Sequence, residues 1–121
     1  MALLTAQDGQ LVGLHLLVQG ILREAPTPDG IGAFLLGLAK LLRVQPISGP
    51  HVFPGCAILL IAESHLSVHW QGTAKGIACW VDAFSCKAFD TVEADAWIKE
   101  RLGFVSVAPS QVLSRGPVEV P

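Results

Sequence analysis

This sequence is short of charge. Of its 121 residues, 8 are Lys or Arg and 10 are Asp or Glu, so charged side chains make up 15% of the chain against 51% hydrophobic. An ordinary globular chain carries about 25% charge. So little charge leaves apolar surface in need of cover, and self-association is the cheapest cover. The net charge of -2 gives no basic footprint for nucleic acid. No apolar run approaches the roughly 18 residues of a membrane span. The first ten residues, MALLTAQDGQ, lack the positive start and cleavage site of a secretion signal. The three cysteines, Cys56, Cys79 and Cys86, are too few and too unevenly spaced for a disulfide framework or a zinc knuckle. The expectation is a single domain over 1–121, in a reducing cytoplasm, with no nucleic-acid or membrane partner and no metal.

What is present has a clear order. Leu11 to Gln19 (LVGLHLLVQ) reads as a buried first strand. Thr27-Pro28-Asp29 reads as a helix start, with Thr27 as N-cap and Pro28 at the first helical position. Ile31, Phe34, Leu35, Leu38, Leu41 and Leu42 follow at helical spacing and give that helix one apolar side. Gly30, Gly32 and Gly37 weaken it in isolation, so packing must hold it. Prolines and glycines from Val44 to Pro54 suggest a broken strand and turns. Cys56 to Ala62 (CAILLIA) is a continuous apolar run of the kind found in covered strands. Ser67 to Trp70 and Gly76 to Ser85 read as further strands. Asp90 and Glu93 stand in capping-box spacing before a second helix that Gly103 closes, and Phe104 to Val112 reads as a last strand. Ser114 to Pro121 is expected to be loose. The order β-α-β-β-β-α-β predicts an α+β fold: a two-layer sandwich, mostly antiparallel, with both helices on one face.

The chemistry is concentrated in IAESHLSVHW, Ile61 to Trp70, where a glutamate, two serines and two histidines follow the most apolar strand. Three active readings are open, beside a polar strand end with solvated side chains. As a metal site it suffers from strand geometry, because four residues of strand separate His65 from His69 by about 13 Å, too far to share an ion. As a hydrolase it lacks the glycines of a G-x-S-x-G elbow around Ser64. The third reading is a bond at which the chain cuts itself.

IAESHLSVHW, together with VDAFSCKAFD (Val81 to Asp90), resembles the small prokaryotic S-adenosylmethionine decarboxylases. That family typically carries IAESHLSIHTWPE and then a DVFTCG segment. The similarity runs from GLHLLV (Gly13 to Val18) through the capped helix to KERLG (Lys99 to Gly103). The resemblance implies a self-processing enzyme. Ser64 matches the serine whose hydroxyl attacks the preceding carbonyl and turns the Glu63-Ser64 amide into an ester. β-Elimination then leaves residues 1–63 as one chain and 64–121 as another, which begins with a covalent pyruvoyl group. His69 matches the histidine that assists processing, and Cys86 the cysteine that reprotonates the product carbon, work suited to a tunable thiol. The keto group forms a Schiff base with a substrate amine and takes up the electrons left by the departing carboxylate, so no external cofactor is implied.

Distance adds to this. Cys56 lies eight residues before Ser64 and His69 five after, which in an extended chain is about 26 Å and about 16 Å. Neither reaches the serine of its own strand. A second copy running antiparallel across a two-fold axis would put its serine within reach of both, which agrees with the family's dimer and shared sites. Three departures from the family pattern bear on substrate. Cys56 stands where the family has a processing serine, and still offers a proton donor. His69 runs into Trp70-Gln71-Gly72-Thr73, without the carboxylate that binds the ribose. Pro50 stands where an aromatic stacks on adenine, with Phe53 nearby. Each lost nucleoside contact forfeits about 1–3 kcal/mol. The expected substrate is therefore a smaller amino acid of polyamine supply, L-ornithine or L-arginine, with S-adenosylmethionine as the alternative and an uncleaved non-enzymatic homologue as a second. Trp80, Phe84 and Asp82 share the Cys86 face by period-2 parity and, with Phe53, are candidates for the pocket. Cys79 reads as core, His15 as a satisfied core histidine and His51 as a loop residue.

Overall fold

The computed structural model describes residues 5–6 and 10–119, with side-chain surroundings for 13–115. The elements are β1 (Thr5–Ala6), β2 (Gln10–Leu22), α1 (Pro28–Leu42), β3 (Pro46–Phe53), β4 (Cys56–Ile61), β5 (Ser64–Thr73), β6 (Gly76–Ser85), α2 (Thr91–Leu102), β7 (Phe104–Val107) and β8 (Gln111–Glu119). All strand pairings are antiparallel. The sheet runs β1-β2-β6-β5-β4-β3, and β7 and β8 both pair with β2. This is the expected two-layer α+β sandwich.

Both helices form where their end signals stand. Thr27 accepts a hydrogen bond from the Gly30 N–H and Asp90 one from the Glu93 N–H, at 3.0 Å each. Gly103 ends α2 in the left-handed conformation, at a φ of 68°, which glycine adopts without a Cβ clash. One stripe of α1 (Ile31, Phe34, Leu35, Leu38, Ala39 and Leu42) is buried. It meets the alternate residues of the sheet, among them Leu16, Val18, Leu59, Leu66, Val68 and Val81. Trp97 of α2 stacks on Phe34 of α1, ring centres 5.4 Å apart. Truncating one of these leucines to alanine would cost about 2–5 kcal/mol. Among the described residues, the other face of the sheet carries no helix.

Two expectations need correction. Val44 to Pro54 is a continuous strand over Pro46–Phe53, with two register shifts against β4. Its prolines are tolerated because β3 is the sheet edge, where an N–H need not be given to a neighbour. Four strands therefore lie between the helices, where three were expected. The last strand divides around Ala108-Pro109-Ser110, and β8 then pairs with β2 as far as Glu119 opposite Gln10. Ser114–Glu119 is thus strand and not loose tail, because the long outer edge of β2 leaves a row of unpaired backbone groups to be met. Val120 and Pro121 lie outside the described residues.

Candidate active site at the β4–β5 hairpin

The chain turns back on itself at Ala62-Glu63, and Ile61 pairs with Ser64 across the turn. Ser64 therefore opens β5 at the tip of a two-residue hairpin. The loop is clipped from outside by Gln45, just after α1. The Gln45 carbonyl accepts from Ala62 N–H at 2.8 Å, and its N–H donates to Glu63 Oε1 at 3.1 Å. That buried carboxylate, 6% exposed, has a partner, as a buried charge requires.

The Glu63 main-chain carbonyl is held from the opposite side. Cys86 follows β6 directly and gives it two hydrogen bonds, from its N–H at 3.0 Å and from Sγ at 3.1 Å. Ser64 has a φ of 150°, a conformation that non-glycine side chains rarely adopt and that costs about 1–3 kcal/mol where it persists. Its hydroxyl is hydrogen-bonded to Nδ1 of His65 at 3.1 Å. The His65 ring leans on Phe84, centres 5.9 Å apart. Phe84 in turn lies over Gly13, where a Cβ would meet its Cε1 at 2.8 Å. The result is one peptide bond, Glu63-Ser64, with a doubly bonded carbonyl oxygen, a strained following residue and a nucleophilic hydroxyl beside an imidazole. Donors on a carbonyl oxygen stabilise the negative charge that develops when its carbon is attacked.

The remaining candidates lie elsewhere. Cys56 pairs with His69, His69 with Trp80 and Trp80 with Gln19, while Phe53 pairs with Cys56, so five side chains form one row across the sheet. That row is five register steps from the Ile61–Ser64 pair, or about 16 Å. Because of the hairpin, Cys56 sits at the level of His69 rather than farther out along one extended strand. Neither reaches Ser64 of the same chain. Asp82 lies between the two groups and accepts from, or shares a proton with, His15 at 3.1 Å. His15 is thus on the open face and paired, not in the core. His51 belongs to β3, hydrogen-bonded to Ser48 at 2.7 Å. A cavity of about 410 Å³ opens in this region, lined by Leu17, Gln19, His69, Gln71, Trp80 and Asp82.

Strand β5 runs through both His65 and His69, which keeps them as far apart as four strand residues must be. Among the described residues, no three His, Cys, Asp or Glu side chains converge as a metal site would require. Ser64 leads into a strand and not a helix, so it forms no nucleophile elbow. Cys79 is core, 1% exposed, and burial pushes its thiol up to about 12, which leaves it protonated and inert. No described helix is long and apolar enough to cross a membrane. Sequence reasoning missed the contact of His65 with Ser64 and the Gln45 clip. The first had a signal, an imidazole next to the serine; the second joins residues eighteen apart and had none.

No protein-family model and no curated protein matches this chain. A solved structure does. The crystal structure of the adenosylmethionine decarboxylase from Aquifex aeolicus VF5 superposes with a TM-score of 0.67 over 89% of this chain and 93% of that one, at 28% sequence identity. The likeness spans nearly the whole of both chains, so the sandwich seen here has the fold of an adenosylmethionine decarboxylase.

Proposed function

We propose that this chain is a self-processing, pyruvoyl-dependent decarboxylase. The observation that carries the reading is the Glu63 carbonyl, gripped by the N–H and Sγ of Cys86 while the Ser64 hydroxyl stands on the same peptide. Ser64 Oγ attacks the Glu63 carbonyl carbon, and elimination from the resulting ester parts 1–63 from 64–121. The residues fit the group that this would leave at position 64, because a strained, hydrogen-bonded hairpin tip presents it at the end of a strand. A keto group there supplies an electron sink for a departing carboxylate. The Cys86 thiol, 3.1 Å from the Glu63 carbonyl oxygen, is the group assigned to protonate the product carbon.

One chain holds only half of this machinery. A second copy, antiparallel and face to face, brings the row of Cys56, His69 and Trp80 to the partner's hairpin. The open face of the four central strands supports this pairing. It displays His15, Leu17, Trp80, Phe84, Ile58 and Leu60 with Asp82 as its one formally charged side chain, a composition suited to cover rather than to water.

The substrate is a small basic amino acid, L-ornithine or L-arginine, since the ribose-binding carboxylate and the adenine-stacking aromatic of the similar family have no counterparts at Thr73 and Pro50. Asp82, which lines the cavity of about 410 Å³, is the acid available for a cationic tail. S-adenosylmethionine is the second reading, favoured by the fold shared with the Aquifex enzyme. Denaturing mass spectrometry tests processing: two fragments divided at 63/64 support the reading, and a single 12.8 kDa species refutes it in favour of an inert homologue. Release of labelled CO2 from the three substrates then ranks them, and turnover of S-adenosylmethionine alone overturns the basic amino acid.

A further inference from the structure

We infer that His65 is the base that starts self-processing, taking the Ser64 hydroxyl proton within the same chain. The inference rests on the self-processing reading above and assigns a residue to its first step. Its ground is geometric. His65 Nδ1 is 3.1 Å from Ser64 Oγ, within the reach that proton transfer needs. His69, the other histidine of β5, is five strand residues from Ser64, about 16 Å, and serves that serine only from a partner.

The ring is also fixed in place. His65 pairs with Phe84 across the β5–β6 ladder and leans on its ring at 5.9 Å. Phe84 is itself confined by Gly13 below, by His15 at 5.4 Å and by the Arg115 guanidinium at 5.3 Å. Among the described residues, His15 and Arg115 touch the far side of Phe84 and Cys86 holds the Glu63 carbonyl. None stands between Nδ1 and the serine.

In the step assigned to it, neutral His65 carries its proton on Nε2 and its lone pair on Nδ1. Nδ1 takes the hydroxyl proton as Oγ bonds to the Glu63 carbonyl carbon. The carbonyl oxygen gains charge against the two Cys86 donors. The bond from that carbon to the Ser64 nitrogen then breaks, and the imidazolium returns the proton to the nitrogen. An ester and a free amine result, with no atom or electron unaccounted for. The amine stays close to Nδ1 because it belongs to the residue just before the histidine. His69 of the partner is left with the later elimination, which divides the two histidines between two steps.

The test follows fresh full-length chain by gel and mass spectrometry, with and without hydroxylamine, which cuts an ester at 63/64 before elimination does. His65→Ala removes the base, and His65→Asn keeps a hydrogen-bonding group near the Nδ1 position without a usable base. Thermal unfolding beside the uncleavable Ser64→Ala chain verifies that both are folded. Expected are processing slowed by about 10²- to 10⁴-fold in both, no ester for hydroxylamine to intercept, and acceleration of His65→Ala by added imidazole. Cleavage of His65→Asn at the wild-type rate, accumulation of ester in either variant, or failure of imidazole to accelerate would each overturn the assignment while leaving self-processing intact. A wild-type chain that never cleaves removes both together.

Discussion

The strain at Ser64 can be weighed by two substitutions that differ only in whether they relieve it. Ser64→Ala and Ser64→Gly both lack the hydroxyl, so both chains stay whole and their unfolding compares like with like. At an ordinary strand position glycine is less stable than alanine by about 0.5–1 kcal/mol, because it has more freedom to lose. At a φ of 150° the alanine Cβ keeps a conformational cost of about 1–3 kcal/mol that glycine does not have. The difference leaves Ser64→Gly equal to Ser64→Ala or more stable by up to about 2.5 kcal/mol. For a chain of this length that is a rise in Tm of up to about 10 °C. Urea titration at one protein concentration, followed by the fluorescence of the three tryptophans, reads it directly. A glycine variant less stable than the alanine variant by 0.5 kcal/mol or more, as anywhere else in a strand, would refute the strain (threshold from the ordinary cost of about 0.5–1 kcal/mol). The quantity bears on function, since strain of about 1–3 kcal/mol released on the way to the ester accelerates that step about 5- to 150-fold.

Cys86→Ala removes one of two donors to the Glu63 carbonyl and should slow self-cleavage by about 10- to 100-fold, less than loss of an N–H donor because a thiol is weak; Cys86→Ser should recover part of the rate in the same time course. Chains carrying Ser64→Ala or His69→Ala should each stay uncleaved alone. Mixed in equal amounts, about half of the His69→Ala chains should be cut by a partner's intact histidine under random pairing, and no cleavage on mixing would sink the shared site. Gly20→Ala places a Cβ 2.2 Å from the Ser106 carbonyl and 2.7 Å from the Phe104 ring, and backbone there cannot yield without loosening β7, so chemical denaturation should report a loss of about 1–3 kcal/mol. Iodoacetamide at pH 8 should spare Cys79 until the protein unfolds. Because burial raises the Cys79 thiol to about 12, the folded state holds that proton more tightly than the unfolded chain, and stability should decline as pH rises from about 9 towards about 12.

Local rules make the helices and most of the sheet legible in the sequence. Thr27 and Asp90 cap where their spacing to Gly30 and Glu93 requires, and Cys79 is as buried as its alternation with Ile77 and Val81 implies. What escaped depended on which strand lies where. Pro46 and Pro50 argue against a strand only if that strand is central, and nothing local says that β3 is an edge. Likewise, nothing in Ser114–Glu119 announces that β2 has an unmet edge waiting. At the candidate site, Ser64 and Cys86 are singled out in the sequence only through resemblance to known decarboxylases. The grip of Cys86 on Glu63 joins residues 23 positions apart and exists because β6 pairs with β5 in one particular register.

That register also explains how so apolar a chain can carry chemistry. Along β5, Leu66 and Val68 point into the helical layer while His65, Ser67 and His69 point away from it, so one strand serves the core and the site at once. Slipping it by a single residue would exchange the two sets and bury the histidines without partners. The buried leucines of β4, β5 and α1 therefore hold the open face in register, not merely the fold together. What they cannot supply is distance. Five register steps separate the hairpin from the row of His69, and no repacking of one core shortens a strand. In the proposed dimer the scarcity of charge on the open face would compensate, because a face with Asp82 as its only formal charge in the central strands can lie against a copy of itself with little desolvation cost. Thus the trait that first sets this sequence apart, its small stock of charge, is also what would let two incomplete sites complete each other.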